Sequence, residues 1–169
     1  DIVMLSSISI FVYLLGFLVE QCLISQFATH STRMVHEATE PWMRELQRHW
    51  KDIRDEYDAA GVDAPVFRTI DSMQKRVDSD GSWHTLWLRM YNRDSQVLHA
   101  SFPRTLQLLK NVDAVSIMFS VLPAESQLEW HRGPYNGVLR YHLGLRCDEQ
   151  AMLYVENETY AWKNGEGFL

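Results

Sequence analysis

The sequence predicts a mainly β domain, a sandwich or barrel, set behind N-terminal helices. Three observations predict it. Apolar residues recur at spacings of three and four between Thr39 and Gly61, and that period is lost after the Asp80-Gly81 turn. Beyond it, short runs of aromatic and β-branched residues alternate with Gly-, Pro- and Asn-containing turns. Finally, the 169 residues are 46% hydrophobic and include 7 Phe, 7 Tyr and 6 Trp, enough bulk for one core.

The same composition excludes a disordered chain, a collagen-like repeat and a disulfide scaffold. Lys and Arg number 16 against 22 Asp and Glu, a net charge of −6. With no basic run, a nucleic-acid partner is not expected. Cys22 and Cys147 give no CxxC pattern.

The elements follow in order. Ile2 to Val19 is an 18-residue stretch without charge. As a helix it would be about 27 Å long, at the lower edge of a bilayer core of about 30 Å. We therefore expect a single-pass membrane anchor over residues 1–24, a polar connector over 25–38 and the globular domain over 39–169. No basic region precedes the apolar run and no small-x-small site follows it, which argues against a secretory signal.

A helix is expected next, capped by Thr39, with Pro41 in its first turn and Gly61 at its end. Trp42, Leu46, Trp50, Ile53 and Tyr57 form its apolar stripe, opposite Arg44, Glu45, Arg48, Lys51, Asp52 and Asp55. Val66–Val77 is ambiguous. Trp83–Tyr91 reads as a strand, Pro103–Lys110 as a short helix, Ala114–Leu122 and Leu128–His131 as strands. After the Gly133–Gly137 connection come strands Val138–Leu145, Met152–Glu156 and Thr159–Trp162, with turns at Asn157-Glu158 and Asn164-Gly165.

Strand Val138–Leu145 carries the most chemistry. Side chains alternate across a strand. Leu139, Tyr141, Leu143 and Leu145 make an ordinary core face. Val138, Arg140, His142 and Gly144 share the other face. If that face meets solvent, Arg140 and His142 are surface residues. If it lines a barrel interior, Arg140 needs an anion there, because an unpaired buried charge is costly. His131, before a Gly-Pro turn, reads either as a hydrogen-bonded structural residue or as a metal ligand. A facial triad would want His-x-Asp/Glu, whereas His131-Arg132-Gly133 carries no carboxylate.

The string Trp130-His-Arg-Gly-Pro-Tyr-Asn-Gly-Val-Leu-Arg-Tyr-His-Leu-Gly-Leu145 closely resembles the signature of the aspartyl/asparaginyl β-hydroxylase family, iron(II)- and 2-oxoglutarate-dependent dioxygenases that include hydroxylases of lipid A acyl chains. Trp83–Tyr91, Phe102–Leu109, Phe119–Leu122 and Glu156–Leu169 are similar to family segments in the same order. The resemblance implies a double-stranded β-helix, or jelly roll. It implies that His131 is the first iron ligand, that Gly133 stands where related oxygenases place a carboxylate, and that Arg140, His142 and Ser120 face 2-oxoglutarate. Arg140 would then have its anion, gripped bidentately. The implied substrate is a peptide Asp/Asn side chain or a lipid acyl chain, with Gly133 leaning to the protein-modifying branch.

Family members continue past Gly-Glu-Gly-Phe-Leu into an acidic motif, a second iron His and an Arg for the far carboxylate of 2-oxoglutarate, none of which is matched here. Asp1 is not an initiator Met. The chain is therefore expected to be a fragment lacking the last strands, weak in iron binding and turnover by itself. The alternatives are a catalytically inactive, membrane-tethered jelly-roll binding module and a fragment whose apolar run mediates assembly.

Overall fold

A computed structural model describes residues 39–61, 83–131, 139–155 and 157–169. The apolar run Ile2–Val19, the connector, Val66–Val77, the Asp80-Gly81 turn and the Gly133–Gly137 connection lie outside them. No helix among the described residues is long and apolar enough to cross a membrane. The chain divides into two compact units. One comprises Asp1–Arg33 and Arg132–Arg140, of which Leu139 and Arg140 are described, both exposed. The other, Met34–His131 with Tyr141–Leu169, carries every element below.

The expected first helix is two helices, α1 (Pro41–Arg48) and α2 (Trp50–Ala59), meeting at His49 with φ −101° and ψ 15°. The backbone bonds His49 N–H to Glu45 O and Ile53 N–H to His49 O bridge the junction at 3.2 and 3.1 Å. The apolar stripe therefore keeps its phase, and Leu46 and Ile53 both reach the core. Thr39 is not the cap: Glu40 holds that position in extended conformation without a side-chain bond, and Pro41 follows at a site where its missing N–H costs nothing. Gly61, with φ +58°, ends α2 in the left-handed region that favours glycine.

Strand β1 (His84–Met90) pairs antiparallel with β2 (Arg93–Asp94) and β3 (Ile117–Val121), in the order β2-β1-β3. The register sets Leu86 opposite Phe119 and Thr85 opposite Ser120, with an irregularity between Trp87 and Arg89. Leu86, Leu88 and Phe119 share the face turned to the helices. They pack with Leu46, Ile53, Phe102, Leu109 and Val112 in one cluster. Each such side chain contributes roughly 1.5–3 kcal/mol of burial. Phe119 is also clasped by Tyr57 and Phe102, ring centres 4.9 and 5.3 Å away.

Helix α3 (Pro103–Leu109) begins after Phe102, which has no side-chain oxygen to cap it. Its C-terminal carbonyl, Leu109 O, accepts a bond from Arg89 Nη2 at 3.1 Å. Arg89 Nη1 also donates to Val112 O at 2.9 Å, and Nε to Asp94 Oδ1 at 2.7 Å. One strand guanidinium thus ties together the end of α3, the loop after it and β2.

The remaining strands form two ribbons. β4 (His142–Leu143) pairs with β7 (Gly167–Phe168), and β5 (Met152–Val155) with β6 (Glu158–Ala161). Among the described residues these sheets do not close into a barrel. Two expected strands are shorter or lost. Leu128–His131 is irregular, with no ladder partner among the described residues. Of the expected strand Val138–Leu145, Val138 lies outside the described residues and the ladder covers His142–Leu143. Tyr141, Leu143 and Leu145 do pack against the core as expected, whereas Leu139 is 74% exposed.

Candidate functional site

Ser120 lies on the exposed face of β3, opposite Thr85. The indole N–H of Trp83 donates to its Oγ at 2.7 Å. With that lone pair engaged, the hydroxyl proton remains free to be given to an acceptor. Trp83 was legible only as one aromatic in a strand run; its role depends on the β1–β3 register, which brings residues 37 apart in sequence together.

His131 is exposed at the end of the irregular stretch that follows β3. Its Nδ1 sits 2.7 Å from the backbone carbonyl of Glu129. A carbonyl only accepts, so Nδ1 must carry the proton. Nε2 then holds the lone pair of the neutral ring. A carbonyl-anchored imidazole of this kind is the form in which histidine binds metal.

His142, half-buried, occupies β4 opposite Phe168. Its ring stacks on Phe168 at 5.1 Å and 16°, and meets Trp162 edge-on at 5.2 Å. Tyr160 packs on the same Phe168 at 3.8 Å. Burial, and then the nearby Glu166 carboxylate, push the Tyr160 hydroxyl above its ordinary value. The spacing Tyr160-x-Trp162 puts both rings on one side of the chain, the one signal in the sequence for this cluster. Close backbone approach is required beside it: Gly144 N–H donates to Glu166 O at 3.0 Å and Gly165 N–H to Gly144 O at 2.7 Å. A Cβ at Gly144 would run into the Lys163 carbonyl.

Tyr141, just before β4, fixes the ribbon to α1. Its hydroxyl donates to Met43 O at 3.2 Å and its ring meets Trp42 edge-on. Burial raises its pKa. Arg140 belongs to the other compact unit and is exposed.

The four residues singled out from the sequence thus occupy different settings. Ser120 is on the three-stranded sheet, His142 on the β4–β7 ribbon, His131 in an irregular segment, and Arg140 in the smaller unit. No hydrogen bond joins Ser120 to His131. Among the described residues, no group of three or more His, Cys, Asp or Glu side chains encloses a metal site. The donor chemistry of His131 fits an iron(II) ligand; the described residues supply that one imidazole and no full set.

Comparison with known proteins identifies the family. The chain is 30% identical over 139 residues to the ornithine lipid ester-linked acyl 2-hydroxylase of Rhizobium tropici, covering 78% of this chain and 50% of that protein. It is 29% identical over 131 residues to the human aspartyl/asparaginyl β-hydroxylase, covering 73% of this chain and 17% of that one. The mouse aspartyl/asparaginyl β-hydroxylase matches at 28% over 131 residues. The chain therefore spans half the length of the bacterial relative and a smaller share of the mammalian ones. The family profile for aspartyl/asparaginyl β-hydroxylase matches residues 47–169, taking in Ser120, His131, Arg140 and His142, and the chain belongs to that family.

Proposed function

We propose that this chain is the core of an iron(II)- and 2-oxoglutarate-dependent dioxygenase on a double-stranded β-helix, hydroxylating a peptide Asp/Asn side chain or a lipid acyl chain. The observation that carries the reading is the ring of His131. Its Nδ1–H is held by the Glu129 carbonyl, which makes Nε2 the nitrogen for a metal. His131 is the residue that would hold iron(II), as imidazole suits that ion. Family membership supports the hydroxylase class.

Bound together, iron(II) and 2-oxoglutarate supply the oxidation: O2 gives one oxygen atom to succinate and one to the product hydroxyl, with release of carbon dioxide. The protein's part is placement. Ser120 has its Oγ fixed by Trp83 and a proton to give to a carboxylate of 2-oxoglutarate. Arg140 is the planar cation suited to a carboxylate of 2-oxoglutarate. His142, its ring held by Phe168 and Trp162, is the further residue that faces 2-oxoglutarate. On this reading the chain works at a membrane, with Ile2–Val19 as its single-pass anchor.

Anaerobic equilibrium dialysis of the natural protein that contains this chain against iron(II), with and without 2-oxoglutarate, tests the assignment. Retention of iron that 2-oxoglutarate strengthens, and that His131→Ala removes, is the expected result. Equal retention by wild type and His131→Ala would overturn the role of His131. Absence of binding in both would favour the inactive binding module.

A further inference from the structure

The outward paired positions of the β5–β6 hairpin carry no charge among the described residues. Its register sets Met152 opposite Ala161 and Tyr154 opposite Thr159. Directly opposed residues share a face, and all four are exposed. The indole of Trp130 leans on Tyr154, ring centres 6.4 Å apart. Trp130 is 72% exposed, Tyr154 57% and Met152 44%. The solvent side of an antiparallel ribbon is ordinarily polar or charged. Here the strand positions that would carry Lys or Glu hold Met, Tyr, Thr and Ala, and a Trp extends the surface.

We propose that this face, with Trp130, Tyr154 and Met152 at its centre, docks the domain on the surface of a neutral lipid bilayer. Trp and Tyr combine an apolar ring with one polar handle, the combination that suits the headgroup boundary. Met supplies a flexible apolar side chain between them. An anionic surface is disfavoured, because the chain carries a net charge of −6 and none of the four paired outward positions is a cation. A peptide added along a strand would use the ribbon's edge rather than its face. The apolar run Ile2–Val19 in the same chain is the second argument for a bilayer. Trp130 directly precedes His131, so its insertion brings that ring to the lipid boundary. The docking does not depend on His131 binding metal.

Because the apolar run alone can hold the chain on vesicles, the test reads depth at the face rather than binding. The 169-residue chain is mixed with phosphatidylcholine vesicles brominated at shallow acyl positions, and tryptophan quenching is compared with that of Trp130→Phe. Wild type should be quenched, and Trp130→Phe should lose most of that quenching. A second variant, Tyr154→Cys carrying an environment-sensitive dye in a Cys22→Ser, Cys147→Ser background, should shift to the blue on the same vesicles at low and high salt alike. His131→Ala should change neither signal, which separates this proposal from the iron assignment. Unchanged quenching in Trp130→Phe overturns the docking, as does a dye that stays unshifted. A dye shift that depends on protein concentration without lipid also overturns it, in favour of a second copy covering the face.

Discussion

The Glu56 carboxylate caps helix α3 from across the fold. Its Oε2 accepts both the backbone N–H and the hydroxyl of Thr105 at 2.8 Å, and its Oε1 accepts Arg104 N–H at 2.7 Å. Phe102, in the capping position, has no oxygen to offer, so a residue of α2 does that work. The anion also meets the positive end of the α3 dipole.

Removing that carboxylate leaves buried donors unmet. Glu56→Ala should cost about 2–3 kcal/mol, and Thr105→Val about 1 kcal/mol. The double variant should cost less than the two added, because both act on one contact. Urea denaturation of the four proteins measures the coupling. Strict additivity would show that the Thr105 hydroxyl does not act through Glu56, and an unchanged midpoint in Glu56→Ala would show that Glu56 does not cap α3.

Arg89 is the second long-range tie. Its guanidinium is 13% exposed and serves Asp94 with the carbonyls of Leu109, Val112 and Ala114. Lysine keeps the charge but loses the planar fork. Arg89→Lys should therefore destabilise by about 1.5–3 kcal/mol, with the amides after α3 losing hydrogen-exchange protection first. Protection lost evenly across the domain would contradict this local role.

His49 makes α1 and α2 pH-sensitive. Nδ1 lies 3.0 Å from Asp52 Oδ2 and Nε2 3.1 Å from Glu45 Oε1. Both carboxylates accept, so both ring nitrogens must carry protons. The hydrogen bond to Asp52 is the largest reason that its pKa is raised above 6.5; desolvation opposes it, and the charges of Glu45 and Asp52 and the hydrogen bond to Glu45 add to the rise. A raised folded pKa means that this stabilisation is complete below the unfolded value and is lost as pH rises through the folded one. The difference in melting temperature between wild type and His49→Gln should be largest in mild acid and vanish in mild alkali. A difference that grows with pH would refute the bridge.

How much of this was legible depends on range. The apolar stripe from Trp42 to Tyr57 placed Leu46 and Ile53 in the core, because helical period alone determines which side chains share a face. Strand β1 and helix α3 were legible for the same reason, in aromatic runs and a Pro-led turn. The break at His49 was not, since the stripe passes through it in phase. Nor were Glu56 with Thr105, Trp83 with Ser120, or Arg89 with Leu109, pairs joined only once the fold is known. Within Val138–Leu145, alternation marked Tyr141, Leu143 and Leu145 as the core face, and all three pack there. For the site, the Trp130–Leu145 string named the family, but the anchoring of His131 on Glu129 needed coordinates.

The most direct measurement is oxygen-dependent conversion of 2-oxoglutarate to succinate by the natural protein that contains this chain, supplied with iron(II). The account predicts succinate formation that His131→Ala abolishes, and that Arg140→Ala weakens chiefly by raising the 2-oxoglutarate concentration required. Undiminished succinate formation by His131→Ala would contradict it.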